Sequence, residues 1–173
     1  GSKSYKRIPS FDAFFFHHGK KHFYAADRHN LYIAALPKKN ESILRFRKIV
    51  TLPDTTGFGG LSTTDKNGNI ILFEKRNLYV IRDHNVLFSY PLRFYDLIEG
   101  IHIDKDNQLW VTNRYDGLVV FSLHPETPHN YLQKKAVFNE FEEGSPRAMV
   151  VDHRGILWIG TRYKGLMGFK YEN

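Results

Sequence analysis

The chain has 173 residues, of which 42% are hydrophobic and 15% aromatic, enough to bury a substantial core and too much for a compositionally disordered polymer. It contains no cysteine, which excludes a disulfide framework and a thiolate metal site, and no stretch approaches the roughly 18 consecutive apolar residues of a membrane-spanning helix. A formal charge of +7 favours an anionic partner, but the basic residues are scattered and no aromatic-rich RNA-binding motif accompanies them, so nucleic acid is not the expected ligand.

Runs rich in Phe, Tyr, Val and Ile, broken by Gly, Asn and Asp, predict strands, and no window carries a 3.6-residue apolar period. Gly1-Ser2 reads as a tag remnant. The first strand candidate is Ser4–Ile8. It is followed by His18-Gly19-Lys20-Lys21-His22-Phe23-Tyr24-Ala25-Ala26 and then Asn30-Leu31-Tyr32-Ile33-Ala34, a strand, turn, strand rhythm. A second outer candidate at Ile43–Ile49 precedes Asp65-Lys66-Asn67-Gly68-Asn69-Ile70-Ile71-Leu72-Phe73 and Asn77-Leu78-Tyr79-Val80-Ile81. A third, Val86–Pro91, precedes the phrase from Ile103 through Asp104, Trp110 and Thr112 to Gly117-Leu118-Val119-Val120-Phe121. A fourth, Lys135–Phe141, precedes its near-copy from Val151 through Asp152, Trp158 and Thr161 to Gly165-Leu166-Met167-Gly168-Phe169.

A period of about 40 to 50 residues, with four strands to the unit, is the signature of propeller blades. The expected fold is therefore all-β: a β-propeller segment of four four-stranded antiparallel blades, read as one segment over 1–173 with units at about 4–36, 43–82, 85–123 and 134–172 and the outer strand leading each unit. Gly68 and Gly155, together with Asn30, Asn77, Gly117 and Gly165, are the residues expected to take positive φ at the turns. Trp110, Trp158 and their column-mates Tyr24 and Ile71 are expected to pack between blades rather than to stack on a sugar.

The two Trp-bearing phrases, each closing on Gly-Leu-x-x-Phe, resemble the two-component regulator propeller repeat; the last two units carry the resemblance and the first two only loosely. That repeat is typical of the periplasmic sensor region of hybrid two-component systems in gut Bacteroidetes, where seven-bladed propellers precede a β-sandwich, a membrane span, a histidine kinase and a response regulator. The resemblance implies a fragment of a seven-bladed propeller and a periplasmic location. It implies detection of oligosaccharides, control of polysaccharide-utilisation genes, no catalysis in the fragment itself, and as partners the remaining blades of the receptor. Closure of the four units alone and association of two copies are the alternatives.

In such folds ligands meet the face formed by the loops from outer to inner strand and from middle to third strand, and the second type can be aligned here. Those turns carry Arg28, Lys75, Arg114 and Arg162, basic in every copy, with Tyr115 and Tyr163 beside the last two. Arg presents a planar fork suited to carboxylate or sulfate, and tyrosine a face for a pyranose ring, so these six residues are the expected site for an anionic oligosaccharide. No catalytic residue, metal or cofactor is expected. Asp65-x-Asn67-x-Asn69 and Asp104-x-Asp106 start like a calcium loop but lack the closing bidentate Glu, since Arg76 and Tyr115 stand there, and are read as structural turns. His17, His18 and His22 do not obviously converge on one ion. Thr56-Gly57-Phe58-Gly59-Gly60 lacks the strand-to-helix context of a phosphate loop. The competing class is a propeller enzyme of lyase or lactonase type, but the dense carboxylates Glu140, Glu142 and Glu143 fall beside an outer strand, away from any channel, and no nucleophile elbow is present. A protein-interaction scaffold is the third class.

Overall fold

The computed structural model describes residues 15–18, 22–27, 30–36, 44–51, 61–74, 77–91, 98–114, 117–124, 126–127, 130–139, 141 and 146–170. Among them are fifteen strands and no α-helix, grouped into four antiparallel sheets. The first sheet runs in the order β1 (Phe15–His18), β2 (His22–Ala26), β3 (Asn30–Ala35), β4 (Arg47–Thr51). The second is β5 (Leu61–Thr64), β6 (Ile70–Glu74), β7 (Asn77–Arg82), β8 (Asn85–Pro91). The third is β9 (Ile98–Ile103), β10 (Gln108–Asn113), β11 (Gly117–Leu123), β12 (Leu132–Phe138), and the fourth is β13 (Pro146–Val151), β14 (Ile156–Thr161), β15 (Leu166–Lys170).

Two expectations need correcting. The outer strand follows its sheet instead of leading it: Leu78 pairs with Tyr90, and Val119 with Val137, so Val86–Pro91 belongs with Asn77–Arg82 and not with the Trp110 phrase. The last sheet has three strands among the described residues, not four. Ser4–Ile8 lies outside the described residues.

Strict alternation gives each sheet two apolar faces, and the faces interlock in one direction. Tyr24, Leu31 and Ile33 of the first sheet pack on Ile70, Leu72, Tyr79 and Ile81 of the second. The second sheet's opposite face, with Ile71, Phe73, Leu78 and Val80, packs on Leu109, Val111, Val119 and Phe121 of the third. The third sheet then offers Trp110, Leu118 and Val120 to Leu157 and Ile159 of the fourth. Trp110 is 7% exposed and stacks on Phe138 with ring centroids 6.4 Å apart, as a blade-packing residue should.

Trp158 behaves differently. Its sheet's face has no neighbour among the described residues, and Leu166 there is 65% exposed where Leu118, at the matching register position opposite Thr112, is fully buried. The position facing Trp158 across the strand pair is Gly168, where a Cβ would stand 2.9 Å from the indole carbon Cζ3, so the ring lies flat on the sheet. Val120 occupies that position opposite Trp110 and denies it the same pose.

The turns between inner and middle strands share one device. Asp65, Asp104 and Asp152 each use Oδ1 to accept the backbone N–H groups two and four residues on, at 2.8 to 3.0 Å, which fixes the turn. Oδ2 then reaches into the sheet, accepting the indole N–H of Trp110 at 2.8 Å from Asp104 and that of Trp158 at 3.1 Å from Asp152. Positive φ appears at Gly68, Asn107 and Gly155 in these turns, and at Gly117 and Gly165 on the opposite end. Asn30 and Asn77 do not adopt it. Asn30 instead donates its backbone and side-chain N–H groups to the Asp27 carboxylate, at 2.8 and 3.2 Å.

Candidate functional site

Strand direction places the middle-to-third turns and the loops between sheets at one end of the assembly, and the aspartate turns at the other. At the first end the described part of the basic column is Arg114 and Arg162; Arg28, Lys75 and Tyr115 lie outside the described residues, as do Glu140, Glu142, Glu143 and 56–60.

Arg114 is not a free cation. Its Nη2 lies 3.0 Å from Glu99 Oε1, and the same oxygen is 2.8 Å from Nη1 of Arg147. Glu99 stands near the start of β9 and Arg147 near the start of β13, at the bulge opposite Thr161, so one carboxylate joins the third and fourth sheets at their shared end. Both guanidinium groups are about a third exposed and Glu99 somewhat less, so the remaining donors face solvent while the positions are held. Arg162 lies beyond the same bulge, its guanidinium carbon 5.2 Å from the centroid of Tyr163, whose ring is 69% exposed. The turn is held by Thr161, which accepts the Lys164 backbone N–H at 2.9 Å and donates to the Gly165 carbonyl at 3.0 Å.

Among the described residues this edge carries the guanidinium groups of Arg114, Arg147 and Arg162 and the Lys164 ammonium against the one carboxylate of Glu99, beside the exposed Tyr163. Such an arrangement can grip a carboxylate or sulfate by paired N–H donors and lay a sugar ring on the aromatic. Sequence reasoning singled out Arg114, Arg162 and Tyr163 through their recurrence at one turn position. It missed Glu99 and Arg147, which recur in no other copy and meet Arg114 only through the fold. At the same end of the first sheet Asp27 accepts the Tyr32 hydroxyl at 2.5 Å, and that bond holds the phenol above its ordinary titration range.

At the opposite end, His22 and His84 are in edge-to-face contact at 5.1 Å, with Tyr24 at 6.3 Å from each. His17 and His18 fall on β1. No group of three metal-capable side chains occurs among the described residues.

No protein-family model and no curated protein sequence matches the chain. Its fold is shared by solved structures of β-propellers. A luciferin-regenerating enzyme superposes with a TM-score of 0.63 at 14% identity, over 91% of this chain and 57% of that one. The virginiamycin B lyase of Staphylococcus aureus gives 0.61 at 16% identity, over 96% and 58%. The extracellular domain of a putative hybrid two-component system from B. thetaiotaomicron gives 0.57 at 16% identity, over 96% of this chain and 25% of that domain. The chain thus spans between a quarter and three fifths of the structures it resembles, which include both enzymes and a receptor domain. Four stacked antiparallel sheets with these neighbours make the chain a β-propeller fragment.

Proposed function

We propose that this propeller fragment is a ligand-sensing element of the extracytoplasmic region of a hybrid two-component receptor, and that it binds an acidic oligosaccharide at the turn face of its last two sheets. The observation that carries the reading is the Arg114–Glu99–Arg147 cluster: one carboxylate holds two guanidinium groups in place and leaves outward donors, with Arg162 and Tyr163 on the adjoining turn. Such preorganisation reduces the ordering cost that a flexible surface arginine would incur on binding. The propeller-repeat resemblance of the last two units and the fold match to an extracellular receptor domain support the sensor class.

Binding of a galacturonate trisaccharide, with maltotriose as the uncharged control, tests the reading by calorimetry. The acidic sugar is expected to bind, the neutral one to bind far more weakly, and Arg114→Ala/Arg147→Ala to abolish the difference. Equal affinity of the parent and the double arginine variant defeats the proposal. In the full receptor, loss of kinase response in that double variant would tie the site to signalling, and turnover of the sugar would replace the sensor reading with an enzymatic one.

A further inference from the structure

The seam between the first and second sheets is closed, at the end carrying the aspartate turns, by two imidazoles in contact. His84 stands in the two-residue turn that joins β7 to β8, and its half-buried ring meets that of His22 on β2 edge to face, with centroids 5.1 Å apart. Its Nδ1 lies 3.5 Å from the Tyr24 hydroxyl. Asp83 and His84 have φ of +47° and +69°, the left-handed region in which two-residue hairpins ordinarily place Asn-Gly. Residues with a Cβ are disfavoured there, so the contacts that His84 makes across the seam offset a local preference to leave it. Within the turn Asn85 Nδ2 donates to the Asp83 carbonyl at 3.1 Å, a bond that holds Asp83 and not the His84 ring. The next seam is filled by a different chemistry. Tyr131, fully buried, donates to Asp65 Oδ2 at 3.3 Å, and burial with Asp65 beside it pushes the phenol up, so it stays neutral where an imidazole titrates.

We propose that the His22–His84 contact is a proton-operated latch: uptake of a proton by His84 in mildly acidic solution loosens this end of the seam between the first and second sheets. The edge-to-face orientation aims one ring at the face of the other rather than both at a common ion. Burial, then the neighbouring His22 and Arg47, disfavour the charged ring, and Asp83 on the same turn favours it; the balance holds the His84 imidazole below its ordinary range. Tyr24 stays neutral, its phenol raised by burial and by Asp83. Its hydroxyl can accept from a protonated Nδ1 as well as donate to a neutral one, so charge is what changes. Arg82 is drawn to Asn69, its Nε 2.6 Å from Oδ1. His17 stands opposite Tyr24 in the register of β1 with β2, while Lys20 and Lys21, two cations preceding His22 in sequence, lie outside the described residues. Opening returns the His84 ring to about 6.5, so the open form binds the proton more tightly. Closure is therefore fully favoured above that value and is lost as pH falls through it toward the folded one, the open fraction rising at most about tenfold per pH unit for one proton. The latch lies at the opposite end of the sheets from Arg114 and Arg162 and is independent of the oligosaccharide reading.

The test is NMR of the chain with ¹³C-labelled isoleucine methyls and histidine rings, titrated from about pH 7.5 to about 5 with a neutral gadolinium chelate in solution. Paramagnetic relaxation of the Ile33 and Ile81 methyls, 3% and 2% exposed in this seam, is expected to rise severalfold as His84 titrates, with a midpoint below about 6.5. Ile159, fully buried between the third and fourth sheets, is expected to stay unchanged. His84→Asn keeps a side chain that tolerates positive φ and removes the proton site, so the rise is expected to vanish. His22→Phe keeps a ring on β2 and removes the second imidazole; the His84 midpoint is expected to move up, and this variant carries the test should His84→Asn fail to fold. The proposal is overturned if His84 titrates at or above about 6.5, if it titrates with no change at Ile33 and Ile81, if the rise persists in His84→Asn, or if Ile159 responds with the same midpoint. An unmoved His84 midpoint in His22→Phe overturns it likewise.

Discussion

Replacing Asp104 by Ala removes four accepted hydrogen bonds at once, and their cost divides by exposure. The backbone N–H groups of Asp106 and Gln108 sit at the turn, where water can replace the carboxylate, so each loses about 0.5 kcal/mol. The Trp110 indole N–H is held at 2.8 Å in a site 7% exposed, and orphaning a buried donor there costs about 1–3 kcal/mol. With about 0.5 kcal/mol more for the Gln108 Nε2 bond at 3.2 Å, the sum is about 3.5 kcal/mol, which in a domain of this size lowers Tm by about 7–14 °C. Thermal unfolding followed by circular dichroism measures the loss, and Trp110→Phe isolates its origin. If the indole N–H is the main debtor, Asp104→Ala in the Trp110→Phe background is far milder, and the two changes couple in a double-mutant cycle. Asp152→Ala, which releases the solvent-facing Trp158, is expected to be milder than Asp104→Ala. Additive losses from Asp104→Ala and Trp110→Phe would refute the reasoning.

Two further outcomes follow from local geometry. Gly117 has φ of +76° and a Cβ there would stand 2.5 Å from the Phe138 carbonyl oxygen, so Gly117→Ala is expected to unfold or severely destabilise the third sheet; Gly165→Ala, at +74° in open space, should cost only about 1 kcal/mol, both read by urea unfolding. The Trp158 indole N–H, then the Ile156 and Arg154 N–H groups, hold the Asp152 carboxyl well below the usual carboxylate range. Because the folded value is depressed, its contribution is complete above the unfolded value of about 4 and is lost as pH falls below that toward the folded one. Tm is therefore expected to fall on acidification from neutral pH through that window, with a shallower slope in Asp152→Asn; identical slopes would contradict the assignment.

The strands were legible because alternation is local: Val86, Phe88 and Tyr90 announce β8 without reference to any neighbour. Which strand β8 would join was not, because the choice between Tyr79 and a residue of the next unit is made by backbone pairing and chain direction, which leave no mark on side-chain periodicity. The same division holds at the site. Arg114 and Arg162 were visible as a recurring turn position, whereas Glu99 meets Arg147 across 48 residues and Tyr131 meets Asp65 across 66, contacts that no spacing rule contains. The tryptophans show the limit most plainly. Identical phrases predict identical roles, yet a single difference opposite them, Val120 against Gly168, lets one indole lie down on its own sheet.

The interlocking of faces described above makes the stack a polar object, in the sense that a filament is polar. Each sheet turns one apolar surface forward and the other backward, so the stack has two unlike ends. Face chemistry therefore sets the direction of growth and not the number of members. That number is left to the angle turned at each junction, and the junctions here are not alike: His84 wedges the first, Tyr131 the second, and a cleft stands at the third. The same faces are thus reused at every seam while the seam residues differ, so the stack is uniform in its direction and not in the packing of its junctions.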